Sequence, residues 1–366
     1  MLGPSAQNNR SRISRAATPL PATWSLTMTM AASCLTACSH PSTPLPTMEL
    51  SDRPIRAVEH LRSLEFALAD DLGIVFIADL VRTPTGYALA DSGGWVLMLD
   101  EELAVEYRFG GEGSGPGELR LPQDLEILPG GQVAVFDSGN NRITVLDREA
   151  KLVESVPARN HPLTDFAARP QEPRFVFGRP SRESLISTLG SNPEPFGTLP
   201  PALRDALDSQ DPLRSISLSL AADREGRVHH FDELTNTLLS YSPDGTLRRA
   251  LTLPARVLSN LAKQRADLEE AFGRGAVVAQ TWMLGMGVYD LSPVLTGTLP
   301  GVAGFAFVVD PEGVVATPIV ADPSLPPSDF HGVGPVVLED DRVTVVNRTG
   351  IHQYRIEWPS HLTPGR

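Results

Sequence analysis

Histidine is the residue type in this chain best suited to metal or proton chemistry, and there are eight of them. His229 and His230 are adjacent in an apolar segment that is typical of a strand. Because successive strand side chains point to opposite faces, these two cannot bind one metal ion together. Zinc requires ligands that converge from separate strands. The remaining zinc candidates do not share a repeated position that would bring them together. They are His60, His161, His331, His352 and one of the pair His229 and His230.

Carboxylates offer a second chemistry, the oxygen-rich coordination that calcium prefers. Asp91, Asp137 and Asp232 each follow a short apolar segment and precede a turn. Since the same residue recurs in each segment, the pattern favours a structural turn over a single metal site. The sequence therefore predicts no metal-binding residue, although its many acids leave calcium open as an alternative.

Motifs for nucleophilic catalysis and nucleotide binding are missing from the sequence. It has no Gly-x-Ser-x-Gly elbow and no phosphate-binding loop that ends in Gly-Lys-Ser/Thr. The glycine-rich run Gly111–Gly117 (GEGSGPG) precedes an apolar, strand-like segment and not a helix, which disfavours a dinucleotide site. We therefore assign no catalytic and no cofactor-binding residue from the sequence.

The segment Gly115–Asp147 indicates the elements that would position any site. Its sequence is GPGELRLPQDLEILPGGQVAVFDSGNNRITVLD, and apolar residues such as Val133 and Val135 alternate with the period of a half-buried strand. Gly, Asn and Asp between these runs favour tight turns. A unit this small cannot bury its own apolar face, so it predicts copies of itself.

Copies are present along the chain. An imperfect copy spans Pro84–Asp100, a third spans Ala222–Leu247 and a weaker fourth spans Leu338–Ile356. Degraded candidates lie at Arg174–Gly178 and Phe305–Val320. Their period of about 40–50 residues is typical of four-stranded propeller blades. The sequence thus predicts an all-β chain whose small antiparallel sheets close into a ring.

Three motifs resemble the NHL-repeat family of β-propellers: Gly115–Leu119 (GPGEL), Leu121-Pro122 and Asp137–Ile143 (DSGNNRI). The resemblance is strongest over Phe109–Leu152 and faint beyond Pro170. It implies a propeller of about six blades, with seven as the alternative, that binds ligands at its mouth or faces.

Turn chemistry predicts structural roles for the motif residues. We expect Asp137 and Asn140 to bond their own turn backbone and Arg142 to brace a neighbouring strand, with a ligand role for Asn141 or Arg142 as the alternative. Among similar propellers, amidating lyases hold zinc with histidines, and lactonase-like hydrolases hold calcium with Glu, Asn and Asp from several blades. The enzyme alternative for this chain is accordingly a calcium-dependent lactonase-like hydrolase that uses the central channel.

The N-terminus predicts export. Arg10, Arg12 and Arg15 precede the uncharged, moderately apolar segment Leu20–Ala37, the plan of a signal peptide. The segment ends in Leu-Thr-Ala-Cys at Cys38, which resembles a bacterial lipoprotein lipobox. This resemblance implies that Cys38 carries a palmitate-containing lipid anchor at the cell envelope, on the outer membrane in a Gram-negative cell. The alternatives are plain secretion into the periplasm or medium and a cytosolic protein with a misread start.

These observations divide the chain into four parts. Residues 1–37 are the predicted signal peptide, 38–54 a Pro/Ser/Thr-rich tether without helix or strand, 55–358 the propeller and 359–366 a tail. Within the propeller, we expect Ser181–Asp211 to be a long loop with a short helix at Pro201–Asp208. Ala255–Gly273 has the apolar spacing of an inserted helix that caps the ring or covers an apolar patch.

The net charge of the chain disfavours one class of binding partner. The 366 residues carry a formal net charge of −13, which repels phosphate backbones and disfavours nucleic acid. The sequence favours a binding or interaction module for a protein, peptide or glycan, held at the membrane only by its lipid, over an enzyme. It does not specify the ligand, the binding face or the oligomeric state.

Overall fold

The computed structural model describes a defined part of the chain. The described residues are 44–65, 74, 76–158, 165–178, 184–189, 192–208, 218–232, 235–259, 270, 283–299, 302–321, 325, 334–347 and 350–360. By internal contacts the chain separates into Met1–Pro41 and Ser42–Arg366. The predicted signal peptide, Cys38 and most of the C-terminal tail lie outside the described residues. Within the described ranges, no helix has the length and apolarity needed to cross a membrane.

Strands dominate the described residues. In chain order they are β1 (Glu49–Leu50), β2 (Ile55–Glu65), β3 (Ile77–Thr83), β4 (Gly86–Asp91), β5 (Trp95–Asp100), β6 (Val105–Gly110), β7 (Pro122–Ile127), β8 (Val133–Asp137), β9 (Arg142–Leu146), β10 (Leu152–Pro157), β11 (Phe166–Ala168), β12 (Phe175–Gly178), β13 (Ile186–Thr188), β14 (Pro195–Phe196), β15 (Leu218–Ala222), β16 (Val228–Asp232), β17 (Thr237–Tyr241), β18 (Leu247–Thr252), β19 (Met283–Tyr289), β20 (Ser292–Leu299), β21 (Val302–Val309), β22 (Val315–Ala321), β23 (Val336–Leu338), β24 (Arg342–Val346) and β25 (Gly350–Glu357). A 3-10 helix spans Ser138–Asn140, and α1 spans Pro201–Asp208.

These strands form antiparallel sheets of consecutive elements. Among the described residues, four separate four-stranded sheets contain β3–β6, β7–β10, β11–β14 and β15–β18. A nine-stranded sheet has the order β19-β20-β21-β22-β2-β25-β24-β23, with β1 paired to β22. It contains two antiparallel runs, β19–β22 and β23-β24-β25-β2, which join only where β2 pairs with β22 in parallel.

The first strands of successive runs contact each other in a closed cycle. The strand β3 contacts β7, β7 contacts β11, and the cycle continues through β15, β19 and β23 back to β3. Apolar clusters fill the spaces between neighbouring sheets; in one of them, Ala90 and Val96 pack with Leu125 and Val135. Burial of these faces stabilises the ring by about 25 cal/mol per Å². The chain is therefore all-β, with four-stranded antiparallel blades in a propeller arrangement.

The segment before β2 differs from the prediction of a tether without strands. Thr47 forms a parallel bridge with Thr252, and β1 pairs with β22. Met48 is buried in the core cluster that contains Phe231 and Leu251. The physical reason is that Met48 is a large apolar side chain within a polar stretch, and its burial offsets the entropy of ordering the backbone around it.

The loop predicted at Ser181–Asp211 is also corrected, because it contributes β13 and β14 to the third sheet. Ile186 and Phe196 are buried there and replace the apolar surface that a longer strand would supply. The short helix at Pro201–Asp208 is confirmed as α1. In the predicted helix Ala255–Gly273, residues 255–259 are helical, and nearly all of the rest lies outside the described residues.

Candidate functional site

Three aspartates mark the same end of three blades. Asp91, Asp137 and Asp232 are each the last residue of a second strand, and each is fully buried. Asp137 pairs with Pro122, the first residue of β7, and the other two occupy the corresponding positions in their sheets. The predicted structural recurrence is therefore confirmed. We call the end of the ring at which these first strands begin the rim.

The carboxylate of Asp137 organises the rim of the second blade. Its Oδ1 accepts a hydrogen bond from the Arg120 backbone N–H at 2.7 Å. Its Oδ2 accepts from Arg142 Nε at 2.8 Å and from Asn140 Nδ2 at 2.8 Å. Because the Asp137 side chain is fully buried, these donors offset the cost of removing a carboxylate from water.

Arg142 and Asn140 connect this carboxylate to the glycine-rich loop, Gly110–Leu121. Asn140 Nδ2 donates to the Gly113 carbonyl at 2.9 Å, and Arg142 Nη2 donates to the Glu118 carbonyl at 2.6 Å. The prediction that Asp137 and Asn140 bond their own turn backbone is wrong, because their side chains bond each other, Arg142 and backbone groups of this loop. Arg142 was predicted to brace a neighbouring strand and instead braces this loop, because its guanidinium has enough donors for the carboxylate and the loop carbonyls together. Asn141, the alternative ligand residue, is exposed and has a left-handed backbone.

The glycine-rich loop also contacts the first blade. The Gly111 N–H donates to the Gly94 carbonyl at 2.8 Å. At Gly110, which has φ +112°, a Cβ atom would lie 2.3 Å from that carbonyl oxygen. Any larger residue at Gly110 would therefore push the start of the glycine-rich loop away from the turn between β4 and β5 of the first blade.

Two large apolar side chains project from this rigid rim. Phe76 and Leu121 each immediately precede a first strand, β3 or β7, and are 53% and 52% exposed. The Leu121 backbone has φ +53°, a left-handed conformation that a branched side chain rarely adopts. The position thus combines a left-handed backbone with an exposed apolar side chain, and the Leu121 carbonyl accepts hydrogen bonds from the N–H and Oγ of Ser138.

An aromatic–cation pair lies at the same end of the first blade. Trp95 begins β5 opposite Asp91 and pairs across the sheet with Gly110. The Arg108 guanidinium carbon lies 3.5 Å from the Trp95 ring centroid, close enough for a cation–π contact. We refer to Phe76, Trp95, Arg108 and Leu121 together as the rim patch.

A chain of carboxylates and backbone N–H groups connects the first strands of four blades. Asp79 Oδ2 accepts from the Leu125 N–H at 2.9 Å, Asp124 Oδ2 accepts from the Phe166 N–H at 3.1 Å, and Asp165 Oδ2 accepts from the Leu220 N–H at 2.8 Å. In each aspartate, Oδ1 also accepts from the N–H of the next residue. The first strands form the inner edges of their sheets, so these carboxylates satisfy N–H groups that have no strand partner.

Two β-bulges help to direct these side chains. The pairing of β3 with β4 shifts register between Ile77 and Asp79, and that of β7 with β8 shifts between Pro122 and Asp124. A bulge turns the next side chain out of regular alternation. The bulges therefore let Asp79 and Asp124 reach the neighbouring blade.

The linked carboxyl groups of Asp79, Asp124 and Asp165, and the nearby Glu126, have pKa values above those of ordinary carboxyl groups. Burial, followed by the negative charges of Asp124 and Asp165 respectively, raises the pKa of Asp79 and of Asp124 well above the usual range. Burial raises the pKa of Asp165 to about 7, with further contributions from Glu126 and Asp79. Burial also raises the pKa of Glu126. All four residues remain partly accessible to solvent, so their protonation can respond to the pH of the medium.

The adjacent histidines lie on opposite faces of β16, as predicted. His229 Nδ1 lies 3.0 Å from Ser240 Oγ, and His229 Nε2 lies 3.5 Å from Asp223 Oδ2. This set resembles a nucleophilic triad, but its residues are buried and Asp223 also pairs with Arg227. Because substrate cannot reach a buried serine, we interpret the set as structural. His230 is also fully buried, and burial lowers its pKa to about 4.

Metal chemistry gains no support from the described ranges, where no three His, Cys, Asp or Glu side chains come together in a way that could hold an ion. His161 and His331, two of the predicted zinc candidates, lie outside those ranges. The carboxylates of Asp79, Asp124 and Asp165 bind backbone N–H groups. Neither the zinc nor the calcium alternative is therefore assigned to residues of this structure.

Sequence reasoning missed the carboxylate chain. Its signal is an aspartate followed by a large apolar residue at roughly the blade period. The pairs are Asp79-Leu80, Asp124-Leu125 and Asp165-Phe166. The turn aspartates at the ends of the second strands mark the repeat more clearly than these pairs do, because Gly and Asn residues follow them in the turns.

Comparisons with known proteins give only distant likenesses. No protein-family model matches the chain, and no curated protein matches it. A putative exported protein from Bacteroides fragilis is 9% identical, with a TM-score of 0.47 over 87% of this chain and all of the other. Virginiamycin B lyase from Staphylococcus aureus is 8% identical, with a TM-score of 0.45 over 76% of this chain and 80% of the other. The WD40 repeats of RRP9 are 10% identical, with a TM-score of 0.45 over 77% and 94% of the two chains. Likenesses at this level say nothing about the function of this chain.

Proposed function

We propose that this protein is a binding module that holds a protein, peptide or glycan ligand at the rim patch. The observation that carries the proposal is Leu121, whose apolar side chain is exposed on a left-handed backbone. Backbone strain at an exposed apolar residue is unfavourable for folding and is typical of functional positions. Phe76 repeats the exposure at the equivalent position of the adjacent blade.

The chemistry of the rim patch suits contact without catalysis. Phe76 and Leu121 supply apolar surface that a partner can remove from water, at about 25 cal/mol per Å². Trp95 and Arg108 supply an aromatic face and a planar donor, the residue types that most often anchor interfaces. The hydrogen bonds of Asp137, Arg142 and the glycine-rich loop hold this surface rigid, so little conformational entropy is lost on binding.

The proposal extends to the architecture that presents the rim. We infer six blades of NHL-repeat type, in which β2 completes the run β23–β25 as its outermost strand. The closed cycle of first-strand contacts supports this count. The eight-residue antiparallel register between β2 and β25, against a three-residue parallel register with β22, supports the assignment of β2 to that blade.

The proposed location is the bacterial cell envelope, with Cys38 as the lipid-modified residue and no direct contact of the propeller with the membrane. Support comes from the sequence alone, through the basic flank, the apolar segment and the Leu-Thr-Ala-Cys motif. Metabolic labelling with a palmitate analogue in a bacterial host tests it: the full chain should incorporate label and Cys38→Ser should not. Equal labelling of both chains, or of neither, would remove the anchor from the account.

Site-specific photo-crosslinking tests the binding function. A photoreactive phenylalanine analogue is placed at Phe76, at Leu121, or at the control position Val153 on the outer strand β10, which is 50% exposed. Each purified protein is illuminated with detergent-solubilised membranes of the source organism. We expect a defined adduct from positions 76 and 121 that excess unlabelled protein competes away.

The control position separates rim binding from general stickiness. No adduct, or one that cannot be competed, is expected at Val153, because an exposed edge residue meets partners only by collision. Identical adducts from all three positions would contradict a specific rim site. The proposed function would be contradicted if neither rim position forms a competed adduct and the protein's melting temperature does not shift with any member of a glycan library.

A further inference from the structure

A serine lies between two imidazole rings on the outermost strand of the last antiparallel run. Ser63 Oγ lies 2.8 Å from His60 Nε2 and 2.7 Å from His352 Nδ1. On the far side of the second ring, His352 Nε2 lies 3.1 Å from Asn347 Oδ1. These distances are all within hydrogen-bonding range. They place a hydroxyl, an imidazole and an orienting amide in one continuous line.

A β-bulge makes this arrangement possible. His60 and Ser63 are three residues apart, and regular alternation would put them on opposite faces of β2. The pairing of β2 with β25 shifts register between His60 and Arg62, which adds one residue to β2 at Leu61. Both side chains consequently lie on one face, with Ser63 directly opposite His352.

The amide of Asn347 fixes the direction of every hydrogen bond in the line. Asn347 Oδ1 also accepts from the Gly350 backbone N–H at 3.0 Å, which identifies this atom as the oxygen. His352 Nε2 must then carry the proton that it donates to Oδ1, and in the neutral ring Nδ1 is an acceptor. Ser63 therefore donates its hydroxyl proton to His352 Nδ1, and its oxygen accepts from His60 Nε2–H.

Burial falls steadily along the line from the amide to the outer histidine. Asn347 and His352 are 6% and 4% exposed, whereas Ser63 is partly exposed and His60 is exposed. The Tyr354 ring packs edge-on against His60 with centroids 5.3 Å apart. The base is thus held in the protein interior, while the hydroxyl can be reached from solvent.

We propose that Ser63 is a nucleophile, with His352 as its general base and Asn347 as a positioning residue, and that its substrates are small carboxylic esters or similarly reactive acyl compounds. An acceptor nitrogen beside a hydroxyl, itself oriented by a third group, is the arrangement that activates serine on unrelated folds. This inference does not depend on the rim patch, which consists of other residues on other strands.

The reaction balances without any metal or redox partner. Ser63 Oγ forms a bond to the acyl carbon while its proton passes to His352 Nδ1. The bond from the acyl carbon to the leaving oxygen then breaks, and that oxygen takes the proton from Nδ1 and leaves as an alcohol. In the second half, water attacks the acyl carbon of the acyl-serine and gives one proton to His352 Nδ1. The bond from the acyl carbon to Ser63 Oγ then breaks, Oγ takes the proton back from Nδ1, and the carboxylic acid leaves.

Labelling with diisopropyl fluorophosphate tests the nucleophile directly. The hydroxyl oxygen forms a bond to phosphorus as fluoride leaves, and intact-mass measurement counts the added groups. We expect one group per full-length chain and its location on Ser63 by peptide mapping. This assignment needs no variant, so it stands even if a substitution impairs folding.

Matched variants test the roles of the neighbours. Ser63→Ala should lose labelling at least tenfold, whereas Ser155→Ala, at an exposed serine of β10, should label like the original chain. Asn347→Asp preserves both acceptor functions and should keep most of the labelling rate. Asn347→Leu should lose labelling at temperatures well below its own unfolding transition, although the loss of the acceptor for the Gly350 N–H lowers its thermal stability. His60→Gln should retain labelling, because His60 is exposed and is not the base. Its rate should be reduced, because the variant alters the hydrogen bond from His60 Nε2 to Ser63 Oγ.

Three results would overturn the inference. The first is an unlabelled chain under conditions that label a control esterase. The second is label mapped to serines other than Ser63, or in equal amount on Ser63→Ala. The third is equal labelling of Asn347→Asp and Asn347→Leu, which would show that the amide does not orient the base. Rim variants at Phe76 and Leu121 should label normally, so failure here and failure of the proposed binding function are distinguishable.

Discussion

At the scale of single residues, Leu121 is the position where folding and function are most clearly opposed. A left-handed backbone costs an ordinary L-residue about 1–2 kcal/mol, and Asn adopts it more easily. We therefore expect Leu121→Asn to raise the free energy of unfolding by roughly 0.5–1 kcal/mol. Urea denaturation with an unchanged m-value measures it. A loss of stability would show that Leu121 serves packing and would remove the main support for the rim.

Arg142 is the opposite case, a residue that the fold requires. It pairs with the fully buried carboxylate of Asp137 and holds the glycine-rich loop. Removing one partner of such a pair leaves a buried charge without compensation, so Arg142→Ala should destabilise the protein by about 2–3 kcal/mol. Arg142→Lys keeps the charge but not the multiple donors and should cost less. An alanine variant within about 0.5 kcal/mol of the original in urea denaturation would contradict this role.

Asp165 predicts how stability depends on pH. Burial raises its pKa to about 7, whereas an unfolded aspartate titrates near 4. The folded state therefore binds the proton more tightly, so this contribution to stability is complete below about pH 4 and is lost as pH rises through about 7. Asp165→Asn should flatten the decline in unfolding free energy between pH 4 and pH 8, and Asp165→Glu should retain it. An unchanged slope in the asparagine variant would contradict the raised pKa of Asp165.

Residue-level prediction from the sequence succeeded where a residue type recurs beside a turn. Asp91, Asp137 and Asp232 were predicted as structural, and all three are buried at strand ends. The Ser63–His352 contact could not be predicted, because it joins residues 289 positions apart and depends on a one-residue bulge. Period-two patterning does not report bulges, and one bulge reverses the faces of every later side chain.

At the scale of elements, the sequence predicted the middle strands of most blades. The repeat copies correspond to pairs such as β4 with β5 and β16 with β17, which are buried on both faces and rich in apolar residues. The short strands β13 and β14 were missed because three residues and two residues are too few to show alternation. The segment Ile55–Glu65 was placed in the propeller, but its partner β25, at the other end of the chain, could not be read from local pattern.

The strand β2 carries the prediction that belongs to this scale. A chain that starts at residue 66 lacks β1 and β2. The β25 edge then has no strand partner, and the apolar contacts of Ile55 and Ala57 are lost. We expect this chain to unfold at a lower temperature and in a broader transition than the chain that starts at residue 44. Scanning calorimetry of the two makes the comparison, and addition of the peptide 44–65 should restore part of the loss. Matching transitions would show that β2 is not needed to close the ring.

At the scale of the whole molecule, the ring is formed by contacts between the first strands of successive antiparallel runs. The sequence predicted sheets of the right size, but the return from β23 to β3 appears only in the contacts of the folded chain. The direct contact of β3 with β7 brings Phe76 of the first blade and Leu121 of the second to the same end of the ring, and the glycine-rich loop connects these two blades. The net charge of −13 covers the molecule as a whole and favours ligands that are not strongly anionic.

The central claim is that the rim patch binds a ligand, and Leu121→Asn tests it most directly because the variant should fold at least as well as the original. The measurement is the amount of the competed membrane adduct formed from position 76, in chains that either retain Leu121 or carry Leu121→Asn. We predict at least a tenfold lower yield from the Leu121→Asn chain, and an unchanged yield when Val153→Ser is the second substitution instead. An equal yield from the Leu121→Asn chain, at equal or greater stability, would contradict the account.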